Sequence, residues 1–510
     1  MDNNKSQLKI GIILNYINLI VGNIIPIFYV PIMLRFLGQD EYAIYKLSSS
    51  IVSYLGLLSA GIGSAITRYL IEANQKIGKE EEEKYLGLFM VIFQIIAILS
   101  FIVGVVLTFN LNIFYGESLS NESLERMKII VFLMVCNTAL SFQLSPYVAV
   151  VSAHEKFIFL QCMNLLSTSI VPLLNLFALF LGYASIGMAI ISLAVGIITR
   201  FIYLIYVRKS LEIKARYKNL PIYRLKEILV FSFWVFVANI VNQLYNATDT
   251  VMIGMIPALA TAGVAIYNVG STFSNLAFSF ASGITVLLAP RVNKVVFAGA
   301  SNDELTEMAI RVGRVQGYLI NLIVSGFISF GMPFIFYYAG EEYYQAYWIA
   351  IIMMIPNTIP LLQTVCLNIV VAQNKHKFRS FVYLIIAVIN VVGSWFLLNT
   401  DLGIIGAALV TGVGLILGPG IAMNWYYKNK TGLFMGRFWK SVLKIYIIPL
   451  IMCPATLILS RWINFYSIPI FLIGIIVYTI IYFVSSWFLI MNEYEKNLFL
   501  SPFKKIIKKK

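Results

Sequence analysis

Long apolar runs, separated by short stretches rich in Lys and Arg, recur along the whole chain. A helix rises 1.5 Å per residue, so about 20 apolar residues cross about 30 Å of hydrocarbon. Fourteen runs are long enough. They lie near residues 10–34, 42–67, 85–109, 127–152, 157–182, 184–207, 227–256, 263–289, 315–338, 344–372, 378–399, 402–427, 441–460 and 467–491. Several contain Pro and Gly, which membrane helices carry more often than soluble ones. The first run is too long for a signal-peptide core and no small-residue cleavage pattern follows it, so it is expected to remain as the first span. The predicted fold is an all-α polytopic membrane protein with 14 transmembrane helices. Composition agrees: 60% of the 510 residues are hydrophobic and 12% charged, against roughly 25% charged in an ordinary soluble domain. At about 20 residues per crossing, this composition allows about fifteen crossings. A soluble enzyme, a secreted disulfide scaffold and a disordered chain are disfavoured.

The net charge of +15 would suggest nucleic acid on a soluble protein. Here the cations cluster in loops beside apolar runs, the positive-inside pattern, and no nucleic-acid partner is expected. Only Arg35, Lys46, Arg126, Lys128 and Arg461, of 38 Lys and Arg, fall on one side. The other side holds both termini, which are therefore expected in the cytoplasm. The basic tail, ending in Lys508–Lys510, could bind anionic lipid or could only fix topology.

Short echoes recur at an offset of 222. Ala43-Ile44-Tyr45 returns as Ala265-Ile266-Tyr267, Gly61-Ile62 as Gly283-Ile284, and Ser49 as Ser271. Near the same offset, Lys156-Phe157 pairs with Lys377-Phe378 and Ile186-Gly187 with Ile405-Gly406. Six spans separate each pair, an even number that preserves direction, so two six-helix lobes are expected as parallel repeats with an appended helix pair. The expected divisions are 1–208, a cytoplasmic linker 209–226, a second lobe 227–428, the pair 429–492 and a basic tail 493–510. Two similar lobes around a central site is a transporter plan.

Polar side chains inside a span are costly and usually face other helices or water. The second span carries Lys46, Ser49 and Ser53 on one helical face. Their repeat partners in the eighth are Asn268, Ser271 and Asn275. The seventh carries Asn239, Asn242, Gln243, Asn246 and Asp249, and the first Asn15, Asn18, Gly22 and Pro26. The stripes are expected to line a shared cavity; the plain alternative is hydrogen bonding between helices. Asp249 lies about 22 residues, or roughly 33 Å, from the cytoplasmic start of its span, so toward the outer end. Lys46 and Asp249, with Arg35, form a candidate outer gate or coupling group; the alternative is snorkelling of each to the interface. Arg68 and Arg291 end the second and eighth spans at the cytoplasmic mouth, where two guanidiniums could capture a phosphate.

Other signals are weak. Cys136, Cys162, Cys366 and Cys453 lie in apolar runs without metal-ligand spacing, and read as buried thiols. His154 and His376 do not make a metal site. No phosphate-binding GxxxxGK[ST] loop occurs, so no ATPase is expected. Glu80–Glu83 reads as a solvated loop, and the outer loop near 110–126 as short and unremarkable.

Several short motifs carry a resemblance. They are Pro31-Ile32-Met33-Leu34-Arg35-Phe36-Leu37-Gly38, Glu41-Tyr42-Ala43-Ile44-Tyr45, and Gly61-Ile62-Gly63 through Arg68. Later come Asp249-Thr250-Val251-Met252-Ile253-Gly254, Ala289-Pro290-Arg291-Val292 and Leu402-Gly403-Ile404-Ile405-Gly406-Ala407-Ala408. The chain resembles the Wzx-type polysaccharide flippases of the multidrug/oligosaccharidyl-lipid/polysaccharide superfamily, though Ala43 stands where that family usually has Gly. The resemblance implies a flippase of the bacterial plasma membrane that moves undecaprenyl-pyrophosphate-linked oligosaccharide from the inner to the outer leaflet by alternating access. It implies a cavity between spans 1, 2, 7 and 8, and a lipid-tail groove at spans 13 and 14. Ser and Asn suit a sugar head group, and Lys46, Arg68 and Arg291 suit its pyrophosphate. No catalytic residue, metal or cofactor is expected; the coupling cation, Na⁺ or H⁺, is left open. Expected partners are the lipid-linked oligosaccharide, membrane lipids, and the pathway's polymerase and glycosyltransferases, with the protein itself a monomer. The rivals are a cation-coupled drug exporter of the same superfamily, which Asp249 would suit, and a membrane-embedded polysaccharide polymerase.

Overall fold

The structure, a computed structural model, describes residues 2–507 except 60, 77, 287, 288, 374 and 376; the side chains of 2–6, 8, 9, 12, 64, 231, 234, 237, 238, 242, 246, 281–291, 293 and 501–507 also lie outside the description. Every regular element among the described residues is helical. The chain forms two compact units, Met1–Ala265 and Ile266–Lys510.

The first unit opens with α1 (Asp2–Ser53), which holds the first expected span and the start of the second. A loop between them is reduced to Gly38, whose backbone (φ 71, ψ 178) only glycine adopts without strain. The second span is not one continuous helix. It tightens to a 3-10 turn at Tyr54–Ser59, breaks, and resumes as α2 (Ile62–Lys76). Then follow α3 (Lys79–Phe109), α4 (Leu111–Tyr115), α5 (Asn121–Ala153), α6 (Phe157–Phe180), α7 (Ala184–Lys209) and α8 (Leu225–Met255). Helix α9 (Ala260–Val286) crosses the division between the units. Helix α3 packs on α5, α5 on α7, α6 on α7, and α1 on α6. Large apolar side chains such as Phe28, Ile95 and Phe177 remain exposed. A soluble monomer avoids such continuous apolar surface, whereas hydrocarbon tolerates it.

The second unit contains α10 (Ala289–Phe297), α11 (Asn302–Tyr338), α12 (Gln345–Leu362), α13 (Thr364–Ala372), α14 (Lys377–Leu398) and α15 (Gly403–Leu415). A π-helical stretch at Ile416–Ala422, around Pro419, leads to α16 (Met423–Lys430). The chain continues through α17 (Met435–Val442), α18 (Ile447–Leu459), α19 (Ile468–Ser485) and α20 (Glu493–Ile507). Ser301 and Glu304 close a reciprocal capping box at the start of α11, satisfying amides the helix leaves open. Here α11 packs on α12, α12 on α15, and α14 on α15. These are the repeat counterparts of the α3–α5, α5–α7 and α6–α7 pairings. Each unit also holds a similar ring stack. Phe159 stacks on Tyr206 with centroids 3.8 Å apart, and Phe378 on Tyr426 at 4.5 Å, both 9° from parallel.

Among the described residues, eleven helical stretches are long and apolar enough to cross a membrane. The first, Ile13–Ser59, carries the cores of two expected spans, while α8 and α9 coincide with the seventh and eighth. Each of the fourteen apolar runs thus falls on helix. By its contacts α8 belongs to the first compact unit, although the repeat groups it with the second lobe. Compactness and repeat descent are separate properties.

Two expectations are corrected. Glu80–Glu83 is not a solvated loop: it lies in the first two turns of α3, with Glu82 0% and Glu83 7% exposed. The segment near 110–126 is also not featureless, because it contains α4 and buries Tyr115 against α8.

Candidate functional site

The break in the second span lies against α8. At Gly61 (φ 92) an added Cβ would stand 2.2 Å from the Ser232 carbonyl oxygen, so only glycine permits this approach. Just before the break, Ser53 Oγ donates to Ser50 O at 2.6 Å and accepts from Gln243 Nε2 of α8. The Tyr54 hydroxyl meets Thr248 Oγ1 at 2.5 Å. Nearer the far end of α8, Tyr115 OH donates to Val251 O at 3.4 Å and Ser118 Oγ to Met255 O at 2.8 Å. Interrupted helices of this kind recur where transporters handle polar cargo, because freed backbone and side-chain groups must then face protein or water.

The predicted residues lie in both units. Lys46 is half-buried, with its ammonium 5.6 Å from the Tyr42 ring centroid. Ser49 and Ser53 are exposed and Asp249 is 3% exposed. No ion pair between Lys46 and Asp249 occurs among the described residues; Arg35 is exposed on α1. Asn242 and Asn246 lie on α8, but their side chains are outside the described residues. Within the second unit, Asn268 and Ser271 are half-buried and Asn275 is exposed. Ser271 Oγ and Thr272 Oγ1 donate back to Asn268 O at 3.2 and 2.6 Å. The first-span stripe is used differently. Asn18 Nδ2 donates to Gln161 O and Oε1 at 2.9 and 2.8 Å, so it joins α1 to α6.

Arg68 is exposed on α2, with its guanidinium 5.8 Å from the Tyr69 ring centroid. A hydrogen bond from Lys76, aided by the charges of Lys76, Arg224 and Arg68, holds the nearby Glu72 carboxyl below its ordinary range. The Arg291 side chain lies outside the described residues.

Sequence reading missed several polar clusters. Glu41 accepts from Ser185 N at 3.4 Å and from its hydroxyl, and pairs with Arg126 at 3.2 Å. Glu82 meets His154 Nε2 at 2.7 Å and accepts from Asn74. Glu83 accepts from Arg216 Nε at 2.7 Å and Lys214 N at 3.1 Å. Arg200, inside an apolar run, donates to Asn137 at 3.0 Å. In the second unit, Arg314 pairs with Glu495 at 2.5 Å and donates to Ser441 O at 2.8 Å and Ile490 O at 3.0 Å. Only Arg200 carried a local signal, a cation within an apolar run. The others depend on partners far away in sequence. No group of three or more His, Cys, Asp or Glu suited to a metal occurs among the described residues.

Residues 8–296 match the polysaccharide biosynthesis protein family. No curated protein matches the chain. Among solved structures, the lipid II flippase MurJ in an inward closed conformation is similar over 97% of this chain and 99% of its own, with TM-score 0.74 and 15% identity. An inward-facing multidrug-resistance MATE transporter of the MOP superfamily is similar over 80% and 93%, with TM-score 0.64 and 11% identity. A Vibrio cholerae MATE transporter is similar over 85% and 99%, with TM-score 0.58 and 17% identity. At these identities the likeness concerns the fold. The family match covers more than half of the chain, which therefore belongs to the polysaccharide biosynthesis protein family, as a multi-pass membrane protein with the MOP fold.

Proposed function

We propose that this family member is a flippase. Its cargo is an undecaprenyl-pyrophosphate-linked oligosaccharide, moved from the inner to the outer leaflet of the bacterial plasma membrane for capsule, exopolysaccharide or related surface-polysaccharide synthesis. Both termini lie in the cytoplasm in this reading, as the loop cations require. The observation that carries it is the interrupted second span, where Ser53 and Tyr54 hydrogen-bond Gln243 and Thr248 of α8 in an otherwise apolar setting; Lys46 stands two turns earlier on the same helix. Hydroxyls and amides suit a sugar head group, while Lys46, Arg68 and Arg291 suit its pyrophosphate. Cargo of this class needs no catalytic group: the head crosses through the protein and the polyprenyl tail stays in lipid.

Asp249 favours a second reading, a cation-coupled exporter. It is a buried carboxylate on α8, and ionisable groups at such depth commonly bind the coupling ion. In the flippase reading it serves the outer gate with Lys46 and Arg35. The readings separate on depletion of the protein from cells, followed by leaflet-resolved detection of lipid-linked sugar. The flippase reading expects the intermediate to accumulate on the cytoplasmic side; drug sensitivity without that accumulation favours the exporter.

A further inference from the structure

A cleft of about 930 Å³ lies where the start of α3 meets the end of α7 and the following linker. Lys79, Arg208, Lys209, Lys214 and Arg216 line it, against three carboxylates, Glu80, Glu83 and Glu212. Those carboxylates are engaged. Arg216 holds Glu80 at 3.1 Å and Glu83 at 2.7 Å, and Lys79 lies 3.9 Å from Glu212. Arg208, Lys209 and Lys214 have no carboxylate partner among the described residues and are exposed. The cleft therefore carries a cationic surplus with donors to spare.

Its wall is fixed. Arg216 N donates to Glu83 O at 2.9 Å, and Lys214 N to Glu83 Oε1 at 3.1 Å. Ile213 is buried, and the Arg216 carbonyl packs so closely on α3 that a Cβ at Gly87 would stand 1.9 Å from its oxygen. The linker is thus held on α3 by a buried carboxylate. Positive-inside bias accounts for cations on this side, but not for a shaped cleft with a rigid wall.

The neighbouring helix face indicates the ligand. Phe201, Ile205 and Arg208 follow at i, i+4 and i+7, on one face of α7. Phe201 is 55% and Ile205 49% exposed. An apolar stripe that ends in a cation beside a cationic cleft matches acyl chains that end in an anionic head group. A soluble phosphate would use the cations and leave the stripe without a role. We propose that this cleft binds the phosphate head group of an anionic membrane phospholipid, whose chains lie along α7. Arg208, Lys209 and Lys214 hold the phosphate, and Glu83 fixes the linker that presents them. This site does not depend on the cargo the protein moves.

The test is native mass spectrometry of the purified full-length protein with phosphatidylglycerol and phosphatidylcholine at equal concentration. Preferential retention of phosphatidylglycerol is expected, falling on the order of 10- to 30-fold in an Arg208→Gln/Lys214→Gln variant, as the loss of two interfacial cations predicts. Arg208→Lys/Lys214→Arg should retain the preference, and Lys428→Gln/Lys430→Gln, which are not among the residues lining the cleft, should leave it unchanged. All four positions are exposed, and equal monodispersity of the variants checks folding. Unchanged preference in the Gln double variant overturns the proposal. So does calorimetric binding of inorganic pyrophosphate, lost in that variant, without selectivity between the lipids; that result would assign the cleft to a soluble phosphate.

Discussion

Glu83 in the first unit and Arg314 in the second stand just before the apolar cores of α3 and α11, repeat-related helices, and each holds a segment leaving the helix bundle. Glu83 takes the linker through Arg216 Nε and the Lys214 amide. Arg314 takes α20 through Glu495, together with the Ser441 and Ile490 carbonyls. The sign is inverted: an anion on the helix in one unit, a cation in the other. Solvation differs as well. The Glu83 and Arg216 side chains are 9% and 51% exposed, and those of Arg314 and Glu495 8% and 1%. Water screens half of the first pair and almost none of the second. A pair withdrawn from water is costly to break, because the surviving charge stays buried, whereas a half-wet pair relaxes into solvent.

The largest effect expected from this contrast is at Arg314. Arg314→Met leaves the Glu495 carboxylate unpaired and should destabilise the protein by about 3–5 kcal/mol, read from denaturant or thermal unfolding in detergent. Arg314→Met with Glu495→Leu should recover most of that loss, since a buried pair replaced by apolar groups is often neutral. A single substitution as mild as the double would break the comparison. Glu83→Gln should cost less, about 1 kcal/mol after allowance for screening at Arg216. Its clearer signature should be faster hydrogen exchange at the Lys214 and Arg216 amides; unchanged exchange would mean that the linker is held otherwise. Smallest are the stacked rings. Phe159→Leu and Phe378→Leu should each cost roughly 0.5 kcal/mol and cost alike, since the two stacks have similar geometry. A large inequality would show that the surroundings of the two stacks, and not their ring geometry, set the cost.

Sequence exposed what local chemistry dictates. Apolar run length yielded the helices, and a near-constant offset of echoes anticipated two parallel lobes; α3 packs on α5 and α11 on α12, pairings the echoes did not specify. It did not expose features set by distant partners. Glu80–Glu83 reads as solvated because the adjacent Lys84 pairs only with Glu80 and Glu81 among the described residues; His154, Lys214 and Arg216, which engage Glu82 and Glu83, lie about 70 to 130 residues away. The break in the second span was not read from the sequence, which gives one run over 42–67, because its cause, the approach of Ser232 to Gly61, has no local signal. Lys46, Ser49, Ser53 and Asp249 stand out in the sequence because polar groups are conspicuous in apolar runs. Asn18 carries the same signal yet serves packing, so polarity within a span marks a contact without telling a helix from a cargo.

The central claim is that this chain carries a pyrophosphate-linked sugar head across the bilayer. The most direct measurement places the purified protein in liposomes containing a fluorescent polyprenyl-pyrophosphate oligosaccharide and follows probe accessibility to a membrane-impermeant quencher after asymmetric loading. The account predicts protein-dependent redistribution between leaflets, reduced at least tenfold in a Lys46→Gln variant of normal stability. Redistribution no faster than in protein-free liposomes, under an imposed Na⁺ or H⁺ gradient or membrane potential, would contradict it.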